Sequence, residues 1–362
     1  MILKAELIVR RFAKHLLASV IFYSGLLTFV RWICRQLFKN SDLVILMYHR
    51  VLEDAYASDE YTQPAIAVSV QTFERQMEYL AKNYTVVPLT HAADMLRTGR
   101  PLPRKCAVIT FDDGWRDNYV HAYPILRRLK LPATIFLTTD YIDSDLKFWF
   151  LQVGFLLTEG TLSAQELVDA CVEAQLVEGT TSSIDRVHLE AVATHRDKFI
   201  NYLKRFDSRG TEQIITQLVR RTGLTNDQWP DRKWTLTWAD IAEMDSSIIE
   251  YGSHGQSHQI MLTLTDDMIS SELTVSRQIL ESRLKRPIVH FAYPNGDYNE
   301  SIKRLVREAG YLSAVTAHAG GMHREYHDLY ALHRIGLHEG ATEGPDEKCS
   351  LPVFACIIEG IL

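Results

Sequence analysis

Short apolar runs that stop at polar residues recur along the chain. Residues 42–47 (DLVILM), 106–111 (CAVITF) and 133–137 (ATIFL) have the composition of buried strands. Segments 72–83 and 119–130 lie between them and carry apolar residues at helical spacing. A strand, a helix and a strand in this order predict a βαβ unit with a parallel sheet.

This rhythm is interrupted once and then resumes. Between residues 146 and 231 the composition is helical, and we find no strand pattern of comparable quality. Helices are predicted there at 165–178, 184–206 and 212–221. Beyond the interruption we predict helices at 238–244, 266–284 and 301–309 and strands at 248–252, 288–292, 313–316 and 332–337. The pattern therefore indicates one α/β domain that contains a helical insertion.

Composition narrows the class of protein. Of 362 residues, 46% are apolar and 23% are charged, as in soluble globular proteins. Lys and Arg number 39 against 45 Asp and Glu, so the net charge is -6, and we expect no nucleic-acid partner. Five dispersed cysteines without a CxxC pair predict reduced, buried thiols. Composition does not indicate the oligomeric state.

The N-terminus carries an uncharged apolar run, Leu16 to Val30, with basic residues on both sides. Its 15 residues are fewer than the roughly 20 that cross a bilayer. No signal-peptide cleavage site follows it. Two interpretations stay open: a helix on an anionic membrane surface, or a helix packed on the domain. We expect a cytoplasmic protein or one peripheral on the inner membrane, and the periplasm stays open.

Three polar clusters directly follow predicted strands: TFDDG (110–114), SHGQSH (253–258) and FAYPNG (291–296). The carboxyl ends of parallel strands share one face, so these clusters are expected to meet. The Pro-Asn-Gly turn allows a backbone to approach a ligand closely. A structural role is the alternative for each: a helix start, solvated histidines and an ordinary turn.

Histidine spacing points to a metal. His254 and His258 are four residues apart, so they can bind one ion, and one aspartate would complete a two-His, one-carboxylate site. We expect one divalent ion, zinc in the first place, with cobalt, nickel, manganese or iron as alternatives. His323 and His327 have the same spacing, but they lie in a polar, Gly-rich stretch and are expected to be solvated.

The three motifs, in this order, resemble those of the polysaccharide deacetylases, the NodB-homology proteins of carbohydrate esterase family 4. The YHRV segment at 48–51 is similar to the segment with which a bacterial subgroup of this family begins. The resemblance to the family covers roughly residues 42–145 and 233–339. It implies a distorted (β/α)7-type barrel and a metal-dependent amide hydrolase that removes acetyl from the N-acetylated sugars of a polysaccharide or lipid-linked glycan.

Matching positions imply the site residues. The resemblance makes Asp113, His254 and His258 the metal ligands and Asp112 the general base. The turn residues Tyr293, Pro294, Asn295 and Gly296 are expected to contact substrate, with a backbone N–H near Asn295 holding the oxyanion.

The proton donor and the partner of the base are less direct. The family places a histidine near the C-terminus, where Leu337-His338 stands, but the strand before His49 ends in the same way, and we favour His49. The family's third motif usually carries an arginine that pairs with the base. Ala292 stands at that position, so Arg50 is expected to supply the charge.

The predicted organisation is an N-terminal helix (1–40), a barrel (41–145 and 233–345), a helical insertion (146–232) and an apolar tail (346–362). Trp149, at the start of the insertion, is expected to stack on a sugar ring, with core packing as the alternative. The sequence leaves two alternative functions: an amide hydrolase of a small non-carbohydrate substrate, and a non-catalytic glycan-binding scaffold. The intact Asp-Asp and His-His set argues against the scaffold.

Overall fold

A computed structural model of the chain describes residues 2–37, 42–57, 60–176, 186–319 and 326–362. Its main sheet contains seven parallel strands in the order β10-β1-β5-β6-β7-β8-β9, and an eighth strand, β4, pairs with the amino-terminal end of β5. A separate parallel pair is formed by β2 and β3. The strands are β1 Leu43–Tyr48, β2 Arg50–Leu52, β3 Ala67–Ser69, β4 Thr85–Val86, β5 Cys106–Phe111, β6 Ala133–Leu137, β7 Ile249–Ser253, β8 His290–Ala292, β9 Ser313–Val315 and β10 Ile335–Gly336.

Helices cover the outside of this sheet. The helices are α1 Ile2–Tyr23, α2 Leu26–Leu37, α3 Val70–Asn83, α4 Leu89–Thr98, α5 Tyr123–Leu129, α6 Trp149–Glu159, α7 Ala164–Leu176, α8 Arg186–Ala193, α9 Arg196–Leu203, α10 Ser208–Thr222, α11 Trp238–Glu243, α12 Asp266–Leu284, α13 Glu300–Glu308, α14 Glu339–Thr342 and α15 Leu351–Ile358. The arrangement is the predicted distorted (β/α)7-type barrel, so the predicted fold class is confirmed.

The segment 332–337, which includes β10, links β9 at one end of the sheet to β1 at the other. On one side, the Leu332 N–H donates to Ala314 O of β9 at 2.9 Å. On the other side, β10 pairs with β1, where Ile335 lies opposite Leu46. Arg334 lies between these two contacts, so closure of the barrel determines where its side chain goes.

Two of the predicted helices differ from those in the structure. Segment 119–130 contains Pro124, which lacks an N–H and is tolerated only near a helix start. The chain accordingly forms a five-residue π-helical turn, Asn118–Ala122, before α5 begins at Tyr123. The single helix predicted over 184–206 is two helices, α8 and α9, with a break at His195.

The insertion has a hydrophobic core of its own, separate from the barrel core. Helices α6 to α10 supply most of it. Tyr61, Trp115 and Trp234 of the barrel join this second core, so the insertion is seated on the barrel through aromatic side chains. The domain boundaries predicted above are not tested by these contacts and stay predictions.

The two ends of the chain pack together. Ala18 and Ile21 of α1 are buried against Val353 and Cys356 of α15. Cys106, Cys171, Cys349 and Cys356 are buried and form no disulfide. Among the described residues, no helix combines the length and the apolar composition needed to span a bilayer.

Candidate active site

Two adjacent carboxylates lie at the carboxyl end of β5. Asp112 is 2% exposed and Asp113 is 3% exposed, after a strand whose residues are all buried. Two buried negative charges this close are costly unless cations or hydrogen-bond donors compensate them. The surroundings of the two carboxylates therefore show what each is built to do.

Asp113 faces two histidines. Its Oδ1 lies 3.3 Å from His254 Nε2 and 3.1 Å from His258 Nε2. Its other oxygen, Oδ2, accepts a hydrogen bond of 2.8 Å from the Trp115 indole N–H. Neither imidazole has hydrogen-bond geometry toward Oδ1, which is left as a buried acceptor without a partner. A buried carboxylate oxygen without a partner indicates a ligand at this point.

The backbone of Asp113 is also unusual. Its φ of 73° lies in the left-handed region, which is uncommon for a residue other than glycine. Gly114 follows with φ of 75°. Strained backbone of this kind is found at functional sites, where it aims a side chain.

The histidine loop is held from behind. His254 Nδ1 lies 2.8 Å from Ala292 O, and donation to that carbonyl leaves Nε2 unprotonated on the side of Asp113. Glu272 of α12 accepts hydrogen bonds from the backbone N–H groups of Gln256 (2.7 Å) and Ser257 (3.0 Å). Partners of this type orient metal ligands and fix their protonation.

The donor set fits a divalent cation. The ligand atoms of Asp113, His254 and His258 lie within 4.8 Å of one another, the one such cluster that the described residues contain. Burial raises the pKa of Asp113, but the His254 and His258 imidazoles beside it outweigh this effect and hold that pKa well below its usual range. Two neutral imidazoles and one carboxylate suit zinc and its first-row neighbours. His323 of the competing pair lies outside the described residues.

Asp112 has a different partner. Arg334 donates Nη1–H to Oδ1 at 2.7 Å and Nη2–H to Oδ2 at 2.6 Å, a bidentate pair with no exposed arginine surface. Arg334 is itself fixed by Thr110 Oγ1 (3.0 Å) and Thr316 O (2.9 Å). Burial raises the pKa of Asp112, but the Arg334 charge outweighs it and lowers that pKa. Asp112 is therefore a carboxylate held ionised beside the candidate metal ligands.

The expectation for Arg50 is wrong. Arg50 donates Nε–H to Asp117 at 2.9 Å and forms an ion pair with Glu60 at 2.8 Å. Its guanidinium lies over the Trp115 ring, 4.5 Å from the centroid. Arg50 points away from the base because it ties β2 to the segment after β5, and Arg334 takes the predicted role.

The two candidate proton donors are separated by the fold. His49 Nε2 lies 4.0 Å from Asp112 Oδ2 and lines the same cleft. Burial lowers the pKa of His49, although the two aspartates oppose this effect. His338 precedes α14, near Lys14 and Glu339, and is not among the residues that line the cleft. The structure brings His49 to the carboxylates and leaves His338 outside.

A cleft of about 290 Å³ joins these groups. Of the residues expected to contact substrate, Trp149, Tyr293, Asn295 and Gly296 line it, whereas Pro294 is buried and does not. The Tyr293 hydroxyl donates to Tyr330 O at 2.9 Å, so its polar end is occupied in the core. Gly296 admits no side chain, because a Cβ there would lie 2.4 Å from the Ala317 Cβ.

A second cleft of about 400 Å³ adjoins the first. Both are lined by Trp149, Lys204, His258 and Ile260, and the second extends along α10 of the insertion. Of the aromatic triplet that begins the insertion, Phe148 is core, stacked 4.0 Å from Tyr141, whereas Trp149 reaches the clefts. Burial lowers the pKa of Lys204, although Asp297 and Asp113 oppose it.

Known proteins resemble this chain in sequence. A profile of the polysaccharide deacetylase family matches residues 99–192 and 183–314, together more than half of the chain. The candidate polysaccharide deacetylase YxkH of Bacillus subtilis (strain 168) is 24% identical over 305 residues, covering 84% of this chain and 74% of that protein. Poly-beta-1,6-N-acetyl-D-glucosamine N-deacetylase of Escherichia coli (strain K12) is 28% identical over 113 residues, which are 31% of this chain and 16% of that protein.

Solved structures share the fold. IcaB from Ammonifex degensii matches with a TM-score of 0.55 at 19% identity, over 89% of this chain and 99% of that one. The Streptococcus pyogenes deacetylase PplD, solved in complex with acetate, matches with a TM-score of 0.52 at 18% identity, over 84% of this chain and 95% of that one. The resemblance noted from the motifs is confirmed by the family profile. The chain belongs to the polysaccharide deacetylase family, and it is an amide hydrolase.

Proposed function

We propose that this protein is a metal-dependent N-deacetylase that releases acetate from N-acetylated amino sugars of a glycan chain. The observation that carries the proposal is the pairing of two buried carboxylates with different partners. Asp113 faces two imidazoles and Asp112 is held by Arg334, both at the bottom of one cleft. A cation site beside an ionised carboxylate base provides the two groups that metal-assisted amide hydrolysis requires.

Asp113, His254 and His258 would hold the ion, and zinc is the metal we assign. When bound, a divalent ion polarises the amide carbonyl and makes a water molecule more acidic. The chain's own contribution is a fixed set of ligands, because Ala292 O orients His254 and Trp115 orients Asp113.

Asp112 acts as the general base. It takes a proton from the water that attacks the carbonyl carbon, and it must be ionised to do so. Arg334 keeps it ionised in a buried position, where a lone carboxylate would otherwise tend to be protonated. The arginine is a positioning residue: its two bonds aim the carboxylate and tune its pKa.

His49 supplies the proton that the departing amine needs. Its Nε2 lies on the Asp112 side of the cleft, and a lowered pKa makes its protonated form a stronger acid. We assign the oxyanion contact to the Asn295 backbone N–H. Asn295 lines the cleft, and the next amide, of Gly296, already donates to Tyr293 O at 2.8 Å.

Two observations support a glycan over a small amide. The two adjoining clefts form a groove longer than one acetamido group needs, and Trp149 offers an aromatic ring on both. Sugar rings have apolar faces that pack on such rings. The Escherichia coli relative is named for a β-1,6-linked N-acetylglucosamine polymer, so we propose oligomers of N-acetylglucosamine as the first substrates to test.

Acetate release tests the proposal. Purified full-length protein supplied with zinc, cobalt, nickel, manganese or iron is incubated with β-1,6-linked and β-1,4-linked N-acetylglucosamine oligomers, and with a small acetamide. We expect acetate from an oligomer, none after chelation, and recovery when a metal is restored. Acetate from the small acetamide alone would replace the glycan with the small-substrate alternative. No acetate from any of them by folded, metal-loaded protein would overturn the proposal.

A further inference from the structure

The two N-terminal helices carry an apolar face that no part of the described chain covers. Helix α1 is held on the domain along its other side by polar contacts. Lys14 Nζ donates to Ala341 O at 2.8 Å, and His15 Nδ1 lies 2.8 Å from Ser350 Oγ. Arg11 forms an ion pair of 2.5 Å with Glu343. These contacts, with the buried Ala18, fix which side of α1 faces outward.

The outward side is apolar along its length. On α1 its residues recur mostly at spacings of three and four, so they share one face of that helix, and on α2 exposed apolar residues recur every three positions. The exposed members are Val9, Phe12, Leu16, Leu17, Val20 and Tyr23 on α1 and Leu26, Phe29 and Trp32 on α2, with 44 to 77% of each exposed.

The exposed apolar residues of the described chain are concentrated in this N-terminal segment. Of the 17 large apolar residues that are exposed in the described part of the chain, nine lie between residues 9 and 32. Single exposed apolar residues need no explanation, but a contiguous patch marks a contact surface.

Charge identifies what the surface contacts. Residues 1–41 contain seven Lys and Arg against one Glu, a net charge of +6, whereas the remaining residues carry 32 against 44, a net charge of -12. A second copy docked through this face would bring two segments of net +6 together, which is unfavourable. An apolar face on a segment of net charge +6 fits a surface that is apolar inside and negative outside, as an anionic bilayer is.

We propose that α1 and α2 bind the surface of an anionic lipid bilayer through this face, which we name the N-terminal apolar face. Phe12, Leu16 and Phe29 enter the boundary between headgroups and acyl chains. Tyr23 and Trp32 lie at the headgroup level, where amphipathic aromatic side chains are favoured. The net positive charge of the segment attracts it to the anionic headgroups.

Vesicle flotation of the full-length protein tests this. The vesicles are neutral phosphatidylcholine alone, or phosphatidylcholine with phosphatidylglycerol. The wild type is expected to float with the anionic vesicles, and less at high salt because the charges are screened. The triple variant Phe12→Ser, Leu16→Ser, Phe29→Ser is expected to partition at least about tenfold less, since three apolar contacts are removed.

A matched control uses exposed apolar residues elsewhere. Val120, Leu146 and Leu312 are 46, 57 and 51% exposed, so their triple change to Ser removes similar area without touching the N-terminal apolar face. That control is expected to float like the wild type. Both triple variants should release acetate from soluble oligomers at the wild-type rate, so this test is independent of the proposed function.

Three results would overturn the proposal. One is wild type that stays with the soluble fraction in both vesicle types. Another is an N-terminal triple variant that floats as the wild type does. The third is a wild-type dimer in solution that the same variant converts to a monomer, because the face then joins two copies.

Discussion

The barrel side and the insertion side of the cleft are built differently. On the barrel side, Asp112, Asp113 and His254 are buried, and each has a defined polar partner. On the insertion side, Trp149 and Lys204 are partly exposed and line two clefts at once. Groups that transfer protons or bind an ion need fixed geometry and a tuned pKa, whereas groups that select a sugar chain can be exchanged. The barrel side is therefore expected to determine turnover, and the insertion side to determine substrate binding.

Loss of a metal ligand is expected to have the largest effect. His254→Ala removes one of three ligands and should abolish stoichiometric metal binding, with acetate release falling by at least about 10³-fold. Metal content and turnover are measured on the same sample. His91→Ala, at an exposed position of α4, is the control and should retain both. A His254→Ala enzyme with full metal and full turnover would contradict the ligand assignment.

The variant Arg334→Met should have a lower kcat and a shifted pH dependence. Without the guanidinium, burial is no longer offset and the pKa of Asp112 rises. The base works only when ionised, so activity is present above its pKa, and the acidic limb of the kcat profile should move up by about 1 to 3 pH units.

Arg50 provides the matched comparison for that experiment. Arg50→Met removes a buried arginine that pairs with Asp117 and Glu60, so it should lower stability and leave the acidic limb unmoved. Arg334→Lys should reverse part of the shift seen in Arg334→Met, because it returns the positive charge without the bidentate geometry. An Arg334→Met enzyme with an unmoved acidic limb would remove the arginine from the mechanism.

His49 and His338 test which end of the chain supplies the proton donor. His49→Ala is expected to lower kcat about 10² to 10⁴-fold with the metal still bound, because the amine then leaves without a proton. An activated nitroanilide, whose amine leaves more easily, should lose less. His338→Ala should be close to wild type. The reverse ranking would assign the donor to His338.

Changes on the insertion side should have the smallest effect on turnover. Trp149→Ala and Lys204→Met are expected to raise KM by about 3- to 10-fold while kcat changes less than twofold, since they remove contacts made equally before and during the reaction. The increase should be larger for a tetramer than for a dimer of the sugar. Trp149→Phe keeps an aromatic ring and should restore most of the affinity. A fall in kcat with KM unchanged would break the division between the two sides.

The barrel and the meeting of Asp113, His254 and His258 could be predicted because their signals are local. The strands end at TFDDG and SHGQSH, and the carboxyl ends of parallel strands share a face, so the pattern already predicts that Asp113, His254 and His258 meet. The predicted strands lie where the structure has them, although those predicted at 288–292 and 332–337 are shorter. The short strands β2, β3 and β4 were not predicted, because two or three residues carry too little pattern.

Arg334 could not be predicted for the opposite reason. Arg334 lies 222 residues from Asp112 in sequence. The two come together only because the segment 332–337 links β9 to β1. The one available signal was a charged residue inside the apolar run 332–337, and buried arginines are rare without a partner. Arg50 is next to His49 in sequence, but neighbouring side chains of extended backbone point to opposite sides, and Arg50 pairs with Asp117.

The sequence predicts that the insertion is helical, but it does not predict which of its side chains face the cleft. Composition placed helices there, but which of Phe148, Trp149 and Phe150 reaches solvent depends on the angle at which α6 begins. That angle is set by packing on Tyr61, where the Gly154 position leaves no room for a Cβ. The insertion's segment 177–185 lies outside the described residues.

The most direct test of the central claim uses Asp112→Asn, which keeps the size of the side chain and removes the base. Chelated wild type and variant are each titrated with zinc while bound metal and acetate from N-acetylglucosamine oligomers are measured together. We predict that both bind one equivalent, that only the wild type regains turnover, and that the variant stays at least about 10²-fold slower. Turnover by the metal-loaded variant at the wild-type rate would contradict the account.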